Sequence, residues 1–153
     1  MENLNKKKIS LEEIYPVIKE KIENGGTVQI PITGTSMNPI LYWGRDSVEL
    51  IKCENPQKHD VIFYRRDNGQ FVLHRIVGKD KKGFILCGDN QIKKEYGITE
   101  NHIIAVVKSI TRKGKTFSVN KFSYKLYVKL WTLILPLRNL ILVPIRKIKG
   151  LFK

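Results

Sequence analysis

Three short segments carry residue types that together suit nucleophilic catalysis: GTSMNP at 34–39, VLHRIV at 72–77 and GDN at 88–90. A serine hydroxyl is a poor nucleophile until a neighbouring base takes its proton, and histidine titrates in the right range for that task. A carboxylate can fix the imidazole tautomer, and a glycine-containing turn can present backbone N–H groups to an oxyanion. Spacing alone leaves open a purely structural role for a strand histidine such as His74.

The order of these segments is informative where each segment alone is not. G-x-S-M-x-P, then H-R-I-V, then G-D-N resembles the signal peptidase I clan of serine peptidases, which also includes LexA-like self-cleaving repressors. The resemblance spans about residues 28–112. In the bacterial type a lysine is the base, whereas a histidine here is similar to the endoplasmic-reticulum, archaeal and sporulation-type signal peptidases. The resemblance implies that Ser36 is the nucleophile and His74 the general base.

The resemblance offers two candidates for the acid. Asp89 matches the G-D-N aspartate and is the predicted orienting acid. Glu95, six residues further on, matches a second acid of the His-type enzymes. The sequence leaves the choice between these two carboxylates open.

The nucleophile turn departs from the commonest family pattern. Many signal peptidases have a serine where this chain has Gly34, and that serine hydroxyl helps to form the oxyanion hole. The Ser36 N–H and the Thr35 hydroxyl are therefore the predicted oxyanion donors. Met37 and Pro39 are expected to shape the turn, and the resemblance places the methionine at the border of the substrate groove.

Periodicity predicts a mainly β fold between two helical segments. Ser10 and Glu13 form a predicted capping box, which is followed by apolar residues at helical spacing as far as Gly25-Gly26. Seven short segments then have the composition of antiparallel strands. The resemblance implies a signal-peptidase/LexA-like core. We therefore expect a helical segment at 1–26, a β-rich peptidase domain at 27–120 and a basic amphipathic tail at 121–153. The predicted strands are 27–32, 47–51, 60–64, 71–77, 83–87, 103–110 and 116–119.

The positive charge is concentrated in the last third of the chain. The formal net charge is +14, and residues 101–153 carry 12 Lys and Arg but no Asp or Glu. The apolar run 130–143 is shorter than the roughly 20 residues that span a bilayer, and Arg138 in its middle would cost about 2.5–3.5 kcal/mol there. Lysines on one side of a helix, with Tyr127, Trp131 and leucines on the other, instead predict a helix that lies on an anionic membrane surface.

The start of the chain bears on its location. Residues 1–8 contain lysines with no apolar stretch after them, which predicts neither a secretory signal nor an N-terminal membrane anchor. We therefore expect peripheral membrane association from the cytoplasmic side. Nucleic acid is a less favoured partner, because the basic residues alternate with leucine-rich runs and form no recognisable reader motif.

The favoured function is a serine endopeptidase that removes a leader or signal peptide from a polypeptide. Two alternatives remain: a LexA-like self-cleaving regulator, and a non-catalytic basic module that binds membrane or nucleic acid. The two cysteines, Cys53 and Cys87, are too few for a disulfide framework or a zinc site and are expected to be buried thiols. We expect neither a metal nor a cofactor.

Overall fold

The computed structural model describes residues 10–151. Within them lie eight strands, whose pairings are all antiparallel, and three α-helices, which confirms the predicted mainly β class. Two short 3₁₀ turns complete the chain, at Glu100–His102 and Leu135–Leu137. The strands are β1 Val28–Pro31, β2 Ser47–Ile51, β3 Val61–Arg65, β4 Phe71–Asp80, β5 Gly83–Cys87, β6 Glu95–Ile98, β7 Ile103–Arg112 and β8 Lys115–Ser118; the helices are α1 Leu11–Glu23, α2 Phe122–Leu133 and α3 Arg138–Leu151.

The sheet places β4 near its centre. The strand order is β1-β2-β7-β3-β4-β5-β6, and β8 pairs with β7. Successive side chains of a strand point to opposite faces of the sheet, so His74 and Arg75 on β4 face different neighbours. His74 lies opposite Ile62 of β3, and Arg75 lies opposite Cys87 of β5. The H-R segment is thereby surrounded by strands on both sides.

Helix α1 begins with the predicted capping box. The Ser10 hydroxyl accepts a hydrogen bond from the Glu13 N–H, and the Glu13 carboxylate accepts one from the Ser10 N–H. Ile18 and Ile22 of this helix are buried in the larger hydrophobic cluster, which also contains Met37 of the nucleophile turn. The helix therefore packs against the segment that carries the candidate nucleophile.

Strand β6, Glu95–Ile98, was not among the predicted strands. Its four residues are too few to show an alternating pattern, and Gly97 at φ 75° is typical of a turn. The strand forms because β5 offers a paired edge, with Phe84 opposite Ile98 and Leu86 opposite Glu95. This pairing fixes the position of the Glu95 carboxylate.

The tail does not form one continuous amphipathic helix. Pro136 lies in a 3₁₀ turn between α2 and α3, and the pair bends by 61° there. Tyr127 and Trp131 were predicted on the leucine side, but both are half-buried: Tyr127 packs against the main hydrophobic cluster, and the Trp131 indole N–H donates to the Asp89 carbonyl at 3.0 Å. The apolar side chains that remain exposed are Phe122, Leu126, Leu130, Leu133, Leu137, Leu140, Ile141, Val143 and Ile148.

None of the three α-helices within residues 10–151 is by itself long and apolar enough to cross a bilayer. Only α2 taken together with Leu135–Pro144, as the bent pair, has sufficient length and apolar composition. The predictions about residues 1–8 lie outside the described residues. Both cysteines are free thiols; Cys87 is buried, as expected, and Cys53 is partly exposed.

Candidate active site

Ser36 lies in an irregular turn between β1 and β2. The Asn38 N–H donates to the Thr35 carbonyl at 3.2 Å, and the Leu41 N–H donates to the Met37 carbonyl at 3.0 Å. Met37 and Leu41 are buried in the core and fix the turn on it, whereas Ser36 is half-buried. The turn thus holds the serine at the surface of a packed core.

His74 is almost completely buried, with 2% of its surface exposed, and its Nδ1 faces a carboxylate. Nδ1 lies 3.1 Å from Glu95 Oε1 and 3.3 Å from the Tyr64 hydroxyl. A carboxylate beside one ring nitrogen keeps the proton there, so Nδ1–H donates to Glu95 and Nε2 carries the free lone pair. Nε2 is therefore the atom that can accept a proton from a nucleophile.

Glu95 is itself held by Arg66. Arg66 Nε donates to Glu95 Oε2 at 2.8 Å, and Arg66 Nη2 donates to Glu95 Oε1. Burial raises the pKa of the Glu95 carboxyl, but the hydrogen bonds from Arg66 and Tyr64 and the charge of Arg66 outweigh it and leave that pKa below its usual value. Glu95 is therefore ionised at neutral pH and can stabilise a charged imidazole.

The pKa of His74 lies below its usual value. Burial is the largest cause, since it disfavours the imidazolium, and the charge of Arg66 acts in the same direction. Glu95 opposes both by favouring the protonated ring. The histidine is consequently neutral at pH 7, which is the state that a general base requires.

Asp89, the acid predicted to orient the imidazole, makes its contacts elsewhere. Its carboxylate accepts two hydrogen bonds from Arg75, at 2.8 Å and 2.6 Å, and both side chains are fully buried. The structure therefore corrects the preference between the two candidates: Glu95 contacts His74, whereas Asp89 joins the H-R and G-D-N segments. The reason is the alternation along β4, which turns Arg75 away from the face that His74 occupies.

The GDN loop, residues 88–91, packs directly against the nucleophile turn. The Asn90 N–H donates to the Ser36 carbonyl at 2.7 Å, and the Asn90 side-chain amide donates to the Thr35 carbonyl at 3.2 Å. A Cβ atom at Gly88 would lie 2.7 Å from the Ser36 carbonyl oxygen, so only glycine permits this approach. The loop thereby fixes the backbone at the candidate nucleophile.

Ser36 and His74 line the same cavity of about 650 Å³, and Met37, a predicted groove residue, is among its lining residues. Pro39, the other predicted groove residue, is not among its lining residues; instead its carbonyl accepts a hydrogen bond from Arg112. Most of the lining is apolar. It comes from α1, β1 and the β3–β4 hairpin through Leu11, Ile14, Ile18, Val28, Ile30, Phe63, Phe71 and Leu73.

Ser36 also borders a second, more polar hollow of about 430 Å³, shared with Gly34, Thr35 and the GDN loop. The serine thus lies between an apolar cavity and a polar one. Within residues 10–151 the Ser36 hydroxyl makes no hydrogen bond, so the serine–histidine hydrogen bond is not formed in this state. Such bonds often tighten only when substrate is bound.

The predicted oxyanion donors are available. Neither the Ser36 N–H nor the Thr35 hydroxyl donates a hydrogen bond to any other described residue, and Thr35 is exposed. Gly34 has open space where a side chain would project, since nothing lies within 4 Å of the position of its Cβ. The turn therefore presents two donors near Ser36 and has room for a third.

Comparison with models of protein families, with curated proteins and with solved structures finds no match for this chain. No group of three or more His, Cys, Asp and Glu residues suited to a metal ion occurs in the part of the chain that the structure describes.

The sequence prediction missed Tyr64, Arg66, Trp131 and Arg138 as residues of the site. One signal was present for the first two. Residues 67–69 read D-N-G, which is typical of a hairpin turn, and the register of the β3–β4 hairpin places Tyr64 opposite Val72, on the same face of β4 as His74. No comparable signal links the tail to the site, because that contact is long-range.

Proposed function

We propose that this protein is a serine endopeptidase of the signal peptidase I type, with the signal-peptidase/LexA-like fold, that removes a leader or signal peptide from a polypeptide. The observation that carries the proposal is the combination of Ser36 and His74 on one cavity with the contact from Glu95 to His74 Nδ1. The approach of the GDN loop to the Ser36 carbonyl gives further support.

The chemistry follows from these positions. Nε2 of His74 takes the Ser36 proton as Oγ attacks the scissile carbonyl, and Glu95 stabilises the resulting imidazolium. The Ser36 N–H and the Thr35 hydroxyl donate to the oxyanion. The leaving amine receives the proton from Nε2. A water molecule then gives a proton to the same nitrogen as it attacks the acyl-enzyme ester, and Nε2 passes that proton to Ser36 Oγ as the new carboxylic acid leaves.

The shape of the site supports a peptide substrate. A cavity of about 650 Å³ lined mostly by apolar side chains fits hydrophobic residues on one side of the scissile bond, and the polar hollow beyond Ser36 fits the other side. The resemblance to signal peptidases suggests small residues at the cleaved bond itself. Together these features favour a leader with apolar residues close to its cleavage point.

We also propose that the tail binds an anionic membrane surface. The exposed apolar face of α2, the 3₁₀ turn and α3 includes Phe122, Leu133 and Leu140, which are 80%, 75% and 74% exposed. Lys121, Lys125 and Lys129 are exposed on α2 beside it, and residues 101–153 contain no acid. An apolar face flanked by basic side chains is typical of helices that lie in the membrane interface.

The test of the peptidase function is a cleavage assay. Purified protein, Ser36→Ala and His74→Ala are each incubated with a library of leader-like peptides, and product masses identify the scissile bond. The wild type is expected to cleave a subset that shares apolar residues near the bond, and both variants are expected to leave it intact. Equal cleavage by all three proteins would eliminate the Ser36–His74 mechanism.

The same samples separate the alternatives. A LexA-like self-cleaving regulator would appear as wild-type protein that is shortened on storage while Ser36→Ala stays intact, with no cleavage of added peptides. A basic module without catalytic activity would cleave nothing.

A further inference from the structure

Arg138, the first residue of α3, is a buried cation whose side-chain hydrogen bonds all go to backbone. Its exposed fraction is 0%, and no described carboxylate lies within ion-pair distance of it. Every hydrogen bond that it makes goes to a main-chain carbonyl. A charge is costly to bury without such partners, so the position of this guanidinium depends on the carbonyls that surround it.

One part of the guanidinium caps α2. Nε and Nη2 donate to the Trp131 carbonyl at 3.2 Å and 2.9 Å, and the group lies 4.9 Å from the centre of the Trp131 ring. The last carbonyls of a helix have no partner within the helix, and a basic side chain satisfies them well. Arg138 and Trp131 thereby form one rigid unit at the bend of the tail.

The remaining donors of this unit reach the GDN loop. Arg138 Nη1 donates to the Gly88 carbonyl at 3.2 Å and to the Gln91 carbonyl at 3.3 Å. The Trp131 indole N–H donates to the Asp89 carbonyl at 3.0 Å. Three of the four carbonyls of the loop are therefore held by two side chains of the tail.

The loop in turn holds the candidate nucleophile. The Asn90 N–H donates to the Ser36 carbonyl at 2.7 Å, and Gly88 approaches that same oxygen too closely for any other residue type. A continuous set of contacts thus runs from Arg138 through the loop to the backbone of Ser36.

We propose that Arg138 and Trp131 are positioning residues for Ser36 and that the tail is consequently part of the catalytic unit. They fix the GDN loop, the loop fixes the Ser36 carbonyl, and the adjacent N–H and Oγ keep the geometry that attack requires. Small displacements of a nucleophile have large effects on rate, so loss of these contacts lowers kcat more than it weakens substrate binding. The kinetic part of this inference rests on the proposed peptidase function.

The test compares Arg138→Met and Trp131→Phe with the wild type. Arg138→Met retains an unbranched side chain without donors, and Trp131→Phe retains an aromatic ring without the indole N–H. Lys147→Met is the matched control, because it removes the same charge from an exposed position of α3. Two quantities are measured: hydrogen exchange of the Asn90 amide relative to amides of β3, and kcat and KM for a peptide that the wild type cleaves.

In both test variants the Asn90 amide is expected to exchange at least about tenfold faster while the β3 amides keep their wild-type rates. We expect kcat to fall at least about tenfold in Arg138→Met, with KM within about threefold, and Lys147→Met to match the wild type. Unchanged Asn90 exchange in both variants would overturn the inference, as would a uniform rise at all amides in Trp131→Phe. If Arg138→Met does not fold, the Asn90 exchange rate in Trp131→Phe decides whether the inference holds.

A wild type that cleaves no peptide would refute the proposed function, but Asn90 exchange would still decide whether the tail fixes the loop.

Discussion

The imidazole of His74 lies between the Glu95 carboxylate and the cavity that Ser36 lines. Burial, helped by the charge of Arg66, favours the neutral ring and Glu95 favours the charged one, and the net effect lowers the pKa of His74. The residue therefore stays a base at pH values where an ordinary histidine, with a pKa near 6.5, is half protonated.

Activity should consequently persist below pH 6.5. His74 must be neutral to accept the serine proton, so the acidic limb of kcat/KM follows its lowered pKa. Glu95→Gln removes the carboxylate that raises the pKa of His74, so the acidic limb of kcat/KM should move to still lower pH. The same change should lower kcat by about 10²-fold or more, because the imidazolium loses its stabilising charge. A pH–rate profile measures both effects.

Asp67→Asn is the matched control, since it makes the same change beside His102 at 3.0 Å, outside the cavity. Asp67→Asn should leave the pH–rate profile unaltered. An acidic limb that stays in place in Glu95→Gln would show that another group orients the base.

The open space at Gly34 leads to a second prediction at the residue scale. A serine there meets no atom within 4 Å of its Cβ, and its hydroxyl can add a third donor to the oxyanion. Gly34→Ser should raise kcat by about tenfold, less than the ~10²–10³ that a preorganised oxyanion donor is worth. Gly34→Ala, measured in the same peptide assay, has the Cβ without the hydroxyl and should match the wild type. A Gly34→Ser variant no faster than Gly34→Ala would argue against an oxyanion at this position.

At the scale of elements, the site depends on the contact between two loops that lie far apart in sequence. The nucleophile turn follows β1 and the GDN loop follows β5, and Gly88 allows the two backbones to meet at the Ser36 carbonyl. β1 and β5 are not neighbours in the sheet, so the two loops are joined by their own hydrogen bonds, and the Arg75–Asp89 pair holds the GDN loop on β4.

Gly88→Ala should therefore impair both stability and catalysis. The added Cβ would lie 2.7 Å from the Ser36 carbonyl oxygen, which is backbone and cannot move aside easily. We expect a loss of about 1–3 kcal/mol in the free energy of unfolding and at least about a tenfold fall in kcat. Chemical denaturation measures the free energy of unfolding, and peptide kinetics measure kcat. Gly34→Ala is the control, because a Cβ at that glycine meets no atom within 4 Å. Wild-type kinetics in Gly88→Ala would mean that the loop does not position the serine.

The sequence predicted the elements that have strong local signals. The capping box of α1 and the strands at Ser47–Ile51 and Gly83–Cys87 depend on local pattern, whereas the roles of Ser36 and His74 depend on motif order and stay predictions. The sequence left open which of Asp89 and Glu95 lies beside His74, and the structure has Glu95 there. That depends on the pairing of β6 with β5, which no local pattern reveals.

At the scale of the whole molecule, the tail has two different faces. Tyr124 and Val128 of α2 are buried in the main hydrophobic cluster, and Arg138 holds the GDN loop. The opposite face exposes large apolar side chains in a segment that contains basic residues and no acids. If that face binds a membrane, as we propose, the GDN loop that Arg138 contacts lies on a segment docked at the bilayer surface.

Vesicle co-sedimentation tests this surface. The protein should sediment with vesicles of phosphatidylcholine and phosphatidylglycerol, less with phosphatidylcholine alone, and less again as salt rises. The double variant Leu133→Asp/Leu140→Asp should bind at least about tenfold more weakly, because each leucine removed from the apolar face loses burial in the interface.

Val17→Asp is the control, since Val17 is also a largely exposed apolar residue, 65% accessible, but lies on α1. Vesicle binding that the double variant leaves unchanged would exclude the tail as the membrane contact. Retention by nucleic acid at matched salt, with no vesicle binding, would favour the alternative partner.

The most direct test of the central claim measures Ser36→Ala, His74→Ala and the double variant on one cleaved peptide. A nucleophile and its base act as a unit, so each single change should lower kcat by about 10³-fold or more, and the double variant should be no slower than the singles. Losses that multiply in the double variant, or cleavage by Ser36→Ala at the wild-type rate, would contradict a mechanism in which His74 activates Ser36.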